Sequence, residues 1–217
     1  MFTEWKSIYG MPKPRGRNPD LYAATHGRIL AAARALFAAR GFDAVATPEL
    51  AAAAGVAQGS LFHHFGSKRD LFIAVHDAVQ LELIGRIDAA AQEADPWRRF
   101  GAIWRAYLDA TADEAIRRVL LLDGPRVIGL EALRARDRET AFAFLLGEVQ
   151  GLQALGLLPG VPARALAVLL FGALDQAAFE MADFPQDQAL REALVKAMAT
   201  MMEALRQWPA GPTPPQP

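Results

Sequence analysis

Thr47-Pro-Glu-Leu-Ala-Ala-Ala-Ala-Gly55-Val-Ala-Gln-Gly-Ser60-Leu-Phe-His-His-Phe65-Gly-Ser-Lys68 is the stretch that decides the fold. It opens as a helix opens. Thr47 is placed to cap, Pro48 stands at the first helical position, and Glu49 sets negative charge near the positive end of the helix dipole. Residues 48–54 make only about two turns before Gly55, which supplies the backbone freedom for a sharp turn. The alanines at 51 to 54 have no bulk to hold a second helix away. That second short helix runs over Gln58–Phe65, and Gly66 breaks it. Two short helices joined through Ala54-Gly55-Val56 form a helix-turn-helix.

Side-chain spacing assigns the faces of the second helix. At about 100° per residue, setting Leu61 and Phe65 inward places Gly59, Phe62 and His63 on the opposite face, with Ser60 and His64 on its flank. A helix that buries two large residues and presents small or hydrogen-bonding ones can enter the major groove of DNA. Gln58, at its leading end, can pair bidentately with adenine. Ser67 caps the next helix, with Asp70 three residues on in a capping-box arrangement. Lys68 and Arg69 fall in that helix's first turn, where the dipole disfavours positive charge; a phosphate there turns the penalty into attraction. The alternative for Gln58, Ser60 and Lys68 is an ordinary solvated helix end. His63 and His64 read as DNA contacts, as structural or solvated residues, or as metal ligands. The metal reading is weak, because helix neighbours diverge by about 100° and no third ligand has suitable spacing.

Outward from this stretch almost everything reads as helix, and nothing as alternating β-branched residues. Upstream, residues 25–40 place Ile29, Leu30, Ala33, Leu36 and Phe37 on one face, and Gly41 ends the helix. Downstream, a long helix over 68–94 connects two domains. Pro96 starts the next, with Trp97, Phe100, Trp104, Tyr107 and Leu108 in one stripe. Asp123-Gly-Pro interrupts, a helix over 130–155 follows, and 156–162 turns. The helix after Pro162 is apolar almost all round through Leu174 and needs cover on more than one side. The last helix, 186–207, aligns Leu190, Leu194, Ala197, Met198, Met201 and Leu205.

The expected class is therefore all-α: an N-terminal three-helix DNA-binding domain over 21–70, its helix-turn-helix at 47–66, and a helical ligand-binding and dimerisation domain over 71–207. Residues 1–20 are expected to form a flexible basic arm, in which Met11-Pro-Lys13-Pro-Arg15-Gly-Arg17 reads as a natural N-terminal arm and the ten residues before it as an upstream extension or a mis-called start. The Pro-rich tail 208–217 is expected to be disordered.

Composition agrees. The net charge of −1 conceals +4 over residues 1–70 and −5 over the remainder, a basic head on an acidic body. There is no cysteine, which removes disulfides, thiolate catalysis and zinc–cysteine sites. The longest apolar run, 165–174, lies between Arg164 and Asp175 and is short of a membrane span, and the start lacks a signal-peptide stretch. A cytoplasmic protein that needs neither a membrane nor a cofactor is the expectation. Enzymatic function is not expected either: no nucleophile–base pairing, phosphate-binding glycine loop or metal cluster is legible.

A family resemblance now emerges. Arg28-Ile29-Leu30-x-Ala32-Ala33-x-x-Leu36-Phe37, Gly41-Phe42-x-Ala44-x-x-Thr47, Leu50-Ala51-x-x-Ala54-Gly55-Val56 and Gly59-Ser60-Leu61-Phe62-x-His64-Phe65-x-Ser67-Lys68-x-x-Leu71 resemble the tetracycline-repressor (TetR) family. The resemblance implies three helices for DNA and six or more for ligand binding and dimerisation, and DNA contact at Thr47, Gln58, Ser60, Phe62, His64 and Lys68. Two residues depart from its pattern. Phe62 stands where the family usually has Tyr, losing a phosphate hydrogen bond. Ala57 stands where Ser or Thr commonly caps the recognition helix, at a cost of about 1 kcal/mol.

For the body the reading is broader. Trp97, Trp104, Tyr107 and Phe144 line a ligand pocket or are simply core; Asp175, Gln176 and Glu180 anchor a ligand, pair with Arg134, Arg136 or Arg138, or face solvent. Leu170, Leu174, Leu190, Leu194, Met198, Met201 and Leu205 are the candidate dimer interface. The expected function is a homodimeric repressor, bound to an inverted-repeat operator in double-stranded DNA and released by a small hydrophobic or aromatic effector. Few interior charges are expected around that effector. The alternative keeps the DNA-binding head and gives the body a protein partner or no ligand.

Overall fold

The computed structural model describes residues 19–158 and 161–207, and all regular structure among them is helical. Residues 1–18 of the expected basic arm, with all four of its Lys and Arg residues, and the Pro-rich tail lie outside the described residues. The chain divides into two compact units, residues 1–75 and 76–217.

The first unit holds α1 (Pro19–Arg40), α2 (Thr47–Ala54), α3 (Gln58–Phe65) and the start of α4 (Lys68–Ala90). Helix α1 begins six residues earlier than the apolar spacing indicates, with Asp20 in its first turn. The core is Ile29, Ala33 and Phe37 from α1, Leu50, Ala51 and Ala54 from α2, Leu61 and Phe65 from α3, and Leu71, Phe72 and Val75 from α4. Phe37 and Phe72 meet edge to face at 5.4 Å, and Phe42 closes on both. Gly55 has φ 63° and ψ 41°, a left-handed conformation that lets its N–H reach the carbonyls of Ala51 and Ala52 and stops α2. Helix α2 is pinned to α1 by an ion pair between Arg40 and Glu49.

Thr47 is not the cap of α2. The carbonyl of Ala46 accepts from Glu49 and Leu50 at 3.1 Å, so Ala46 occupies the cap position and Thr47 is already helical. Ala57 caps α3 without a side-chain bond. Ser67 does cap α4, its Oγ accepting from the Asp70 N–H at 3.0 Å. Asp70 answers by accepting from the Ser67 hydroxyl at 2.6 Å rather than from its backbone.

The second unit contains the rest of α4, which ends at Ala90 rather than 94, then α5 (Pro96–Ala110), a π-helical segment (Ile116–Asp123), α6 (Gly124–Ile128), α7 (Leu130–Glu139), α8 (Ala141–Ala154), α9 (Ala163–Asp183) and α10 (Gln188–Arg206). Two boundaries differ from the sequence reading. The chain does not stop at Asp123-Gly124-Pro125 but passes from the π-helix into α6, because Pro125 needs no N–H at a helix start; the break falls at Gly129. The single helix expected over 130–155 is two, divided at Thr140 (φ −123°, ψ −96°), whose hydroxyl donates to the Arg136 carbonyl at 2.9 Å. The last helix starts two residues later than expected, at Gln188, with the Asp187 carboxylate accepting from the Leu190 N–H.

Arg99 ties this unit together, donating to Asp88 of α4 at 2.8 Å and to Glu148 of α8 at 3.0 Å. Helix α9 packs against α5, α8, α10 and the π-helix, burying Leu166, Ala167, Leu170, Leu174, Ala178 and Met181. It is long and apolar enough to cross a membrane by composition, yet that face is the core of the unit. Leu170, Leu174 and Met198, expected at a dimer interface, are buried within the protomer's own core. The outward apolar face holds Leu169 on α9, 72% exposed, and Met201 on α10, 52% exposed. Leu190, Leu194 and Leu205 are half-buried beside α10's exposed alanines 193, 197 and 204.

Candidate nucleic-acid interface and ligand cavity

In the first unit, α3 stands on Leu61 and Phe65, as its spacing requires, and turns Gln58, Gly59, Phe62 and His63 to solvent. Ser60 is half-buried at the edge of that face. Phe62, 40% exposed, is a large apolar side chain with no packing reason to face water. Thr47, at the start of α2, is half-buried. Lys68 lies with its Nζ 4.2 Å from the centre of the Phe42 ring, a cation–π contact that holds the ammonium at the start of α4. A cation thus stands at the N-terminal end of α4.

His64 behaves differently from its neighbour. Its ring lies 4.2 Å from Tyr22 and 6.1 Å from His26, and its Nδ1 is buried without a hydrogen-bond partner. Burial, and then the nearby His63, push this imidazole below its usual range, while burial and His64 do the same to His26. The ring supports α3 from behind. Tyr22 escapes a reading that starts the first helix at residue 25, and with it the i, i+4 pair it makes with His26, the signal that places both beside α3.

The second unit encloses a cavity of about 540 Å³, large enough for a small organic molecule. Tyr107, Phe144 and Asp175 line it as the sequence indicates, but Trp97, Trp104 and Gln176 do not. Helix geometry explains the difference. On α5 the row Ile103-Tyr107-Thr111 faces the cavity, whereas Phe100-Trp104-Leu108, about 100° away, faces the core, with Phe100 and Trp104 edge to face at 6.0 Å. Trp97 lies under the Arg206 guanidinium at 5.2 Å. Gln176, one residue past Asp175 on α9, points to solvent.

Polar residues also line this cavity: His76 and Gln80 from α4 and Asp137 from α7, which the sequence reading passed over, and Arg134 and Arg138 from α7, which it named as possible partners of Asp175. Gln80 Nε2 donates to Asp137 Oδ1 at 3.0 Å, and Arg136 beside it donates to Asp77 at 2.6 Å. Burial raises Asp137; burial, then the charge of Asp137, raise Asp175 to about 6 against the pull of Arg134. Burial also raises the Tyr107 phenol, and the same two carboxylates add to the effect. The interior is therefore not poor in charge, as composition suggested. The overlooked signal is that His76 and Gln80 stand in the apolar row of α4 with Leu83 and Ile87, where only a packed or functional role keeps a polar group. At Gly124 any side chain would meet the Val119 carbonyl at 3.0 Å and the His76 ring at 3.2 Å, so the small residue lets α6 close over His76. Among the described residues no group of His, Asp and Glu is placed to hold a metal ion.

A recognition helix with an exposed groove-sized face defines a helix-turn-helix regulator of transcription. Comparison with known proteins names its family. The profile of "Bacterial regulatory proteins, tetR family" matches residues 29–75, and that of "Tetracyclin repressor-like, C-terminal domain" matches residues 97–205. The chain belongs to the TetR family. It is similar to a TetR-family transcriptional regulator from Pectobacterium atrosepticum, 28% identical with a TM-score of 0.77 over 89% of this chain and 100% of that one. The HTH-type transcriptional repressor KstR2 of Mycobacterium tuberculosis is 33% identical over 85 residues, 39% of this chain and 42% of the relative. The fold is also that of FadR from Bacillus subtilis, solved in complex with stearoyl-CoA, at 22% identity and a TM-score of 0.64, covering 81% of this chain and 96% of that one. The chain is accordingly a DNA-binding transcriptional regulator.

Proposed function

We propose that this protein is a repressor that holds an inverted-repeat operator as a homodimer and leaves it when a small, largely apolar molecule enters the cavity. The observation that carries the reading is helix α4: Lys68 opens it beside the recognition helix, and Gln80, Leu83, Ile84 and Ile87 of the same helix line the cavity. One helix thus carries residues of both sites. On the DNA side, Gln58, Gly59, Ser60, Phe62 and His63 read base edges, Thr47 and Lys68 hold phosphates, and His64 fixes the tilt of α3. The twofold partner covers the outward face with Leu169 and Met201, flanked by Leu190, Leu194 and Leu205, and the dimer sets the half-site spacing.

Linkage makes the reading testable. A ligand that releases the operator must bind the free protein more tightly than the complex by the same factor by which it weakens DNA binding. A factor of about 100 corresponds to about 2.7 kcal/mol, within the usual range. The experiment screens small apolar compounds by the rise in melting temperature that binding produces, then titrates each binder into the operator complex. Binders that release DNA are expected. Binders that leave operator affinity unchanged would remove the switch and favour a body that serves a protein partner or only dimerisation.

A further inference from the structure

The cavity has an apolar wall and one polar corner, and the corner is unbalanced. Asp137 has a donor in Gln80. Asp175, half-buried across from it on α9, has no hydrogen bond and no ion pair among the described residues, and the Tyr107 hydroxyl likewise has no partner. A carboxylate in an apolar enclosure with no donor is costly, more so beside a second carboxylate. The charged groups around Asp175 are Asp137, Arg134 and Arg138 on α7, His76 on α4, Tyr107 on α5, and Arg164 on its own helix. The three arginines are exposed, so water screens them, and Arg134 acts on Asp175 less than burial and Asp137 do.

We propose that the cavity takes an organic cation, an amine on an apolar body, with its ammonium group between Asp175 and Asp137. This rests on the reading of the cavity as the ligand site. An ammonium brings three donors: Asp175 accepts one in a charge-assisted bond, a free lone pair of Asp137 a second, and the Tyr107 oxygen a third. The hydrocarbon or aromatic body lies against Leu83, Ile103, Phe144 and Phe179. A neutral head of the same size satisfies Asp175 less well, and a carboxylate head meets two like charges. Asp175, held at about 6, is largely ionised at neutral pH and so ready for a cation. As pH falls through about 6 it takes up a proton that the amine must displace, and affinity for the amine falls by about tenfold per unit below that point.

The test uses three probes with one body and different heads: phenylbutylamine, phenylbutanol and phenylbutyrate. Each is titrated calorimetrically into the full-length dimer between pH 5 and 8. The amine is expected to bind about tenfold or more tightly than the alcohol at neutral pH, with the carboxylate weakest, and the advantage should shrink on acidification. Asp175→Asn, isosteric and uncharged, should cut the preference for the amine about tenfold, Asp137 alone remaining, while leaving the alcohol's affinity within about twofold. The pH series on the unaltered protein decides the same question if that variant folds poorly. A carboxylate that binds best, or an order of probes unchanged by both Asp175→Asn and acid, overturns the amine and leaves the cavity as a ligand site. Failure of all three probes to bind overturns the ligand site as well.

Discussion

In the first unit Phe37, Phe72, Leu61 and Leu71 keep no exposed surface, and the aromatic rings lock against one another. In the second unit Tyr107, Phe142, Phe144, Phe171 and Phe179 turn part of their surface to a cavity, and two carboxylates stand among them. The two units put their chemistry on opposite sides of their cores. A domain that reads DNA needs a rigid outer face, so its interior can be filled completely and the residues proposed to read DNA, Gln58, Gly59 and His63, cost nothing in packing. A domain that receives a ligand must leave part of its interior unmatched. Unpaired Asp175 is therefore informative in a way that exposed Gln58 is not.

That contrast fixes the size of mutational effects. Phe37→Ala should cost about 3–5 kcal/mol, because a fully enclosed ring is replaced by a void that close-packed neighbours cannot fill. Phe144→Ala, on a wall that already faces the cavity, should cost about 1 kcal/mol or less. Urea denaturation of both variants measures the difference, and equal losses would show that the second core is as tightly packed as the first. A smaller effect on folding but a clear one on assembly is expected at the outward face. Leu169→Glu removes no contact within the protomer, so melting of the isolated chain should move little, yet sedimentation should give monomers that release operator DNA. A dimeric Leu169→Glu protein would place the interface elsewhere.

The first unit was the more legible in the sequence, for a physical reason. Its two helix-turn-helix elements are about two turns long and its turns short, so the boundaries from the end of α1 onward are written in local residues: Gly41, Gly55, Gly66, Ser67. The start of α1, at Pro19 rather than 25, was missed, and Thr47 misled, because a Thr beside Pro48 looks like a cap while the backbone places Ala46 in that role. In the body, boundaries are set by tertiary packing. Nothing local marks the break at Thr140, which has neither Gly nor Pro beside it, and a π-helix over 116–123 has no sequence signature distinct from an α-helix. The cavity was half legible. Aromatic residues identified α5 as one wall, but choosing Tyr107 over Trp104 needs the rotation of that helix to within about 50°, which a stripe of mixed aromatics does not supply. Leu170 and Leu174 were drawn into the candidate interface for a related reason: α9 is apolar all round, so spacing cannot separate Leu170, which faces the core, from Leu169, which faces out.

The central claim is that α3 reads base sequence while Lys68 holds the backbone. The most direct measurement selects DNA fragments from a random pool with the pure protein, then compares Gln58→Ala and Lys68→Ala on the selected site, on its single-base variants and on random DNA across a salt series. The account predicts an inverted repeat with half-sites about one helical turn apart. Gln58→Ala should lose about 1–3 kcal/mol of discrimination at one base pair per half-site, while Lys68→Ala should weaken all sequences alike and flatten the salt slope by about one. A selected pool without dyad symmetry, or two variants that lose affinity equally on specific and random DNA, would contradict it.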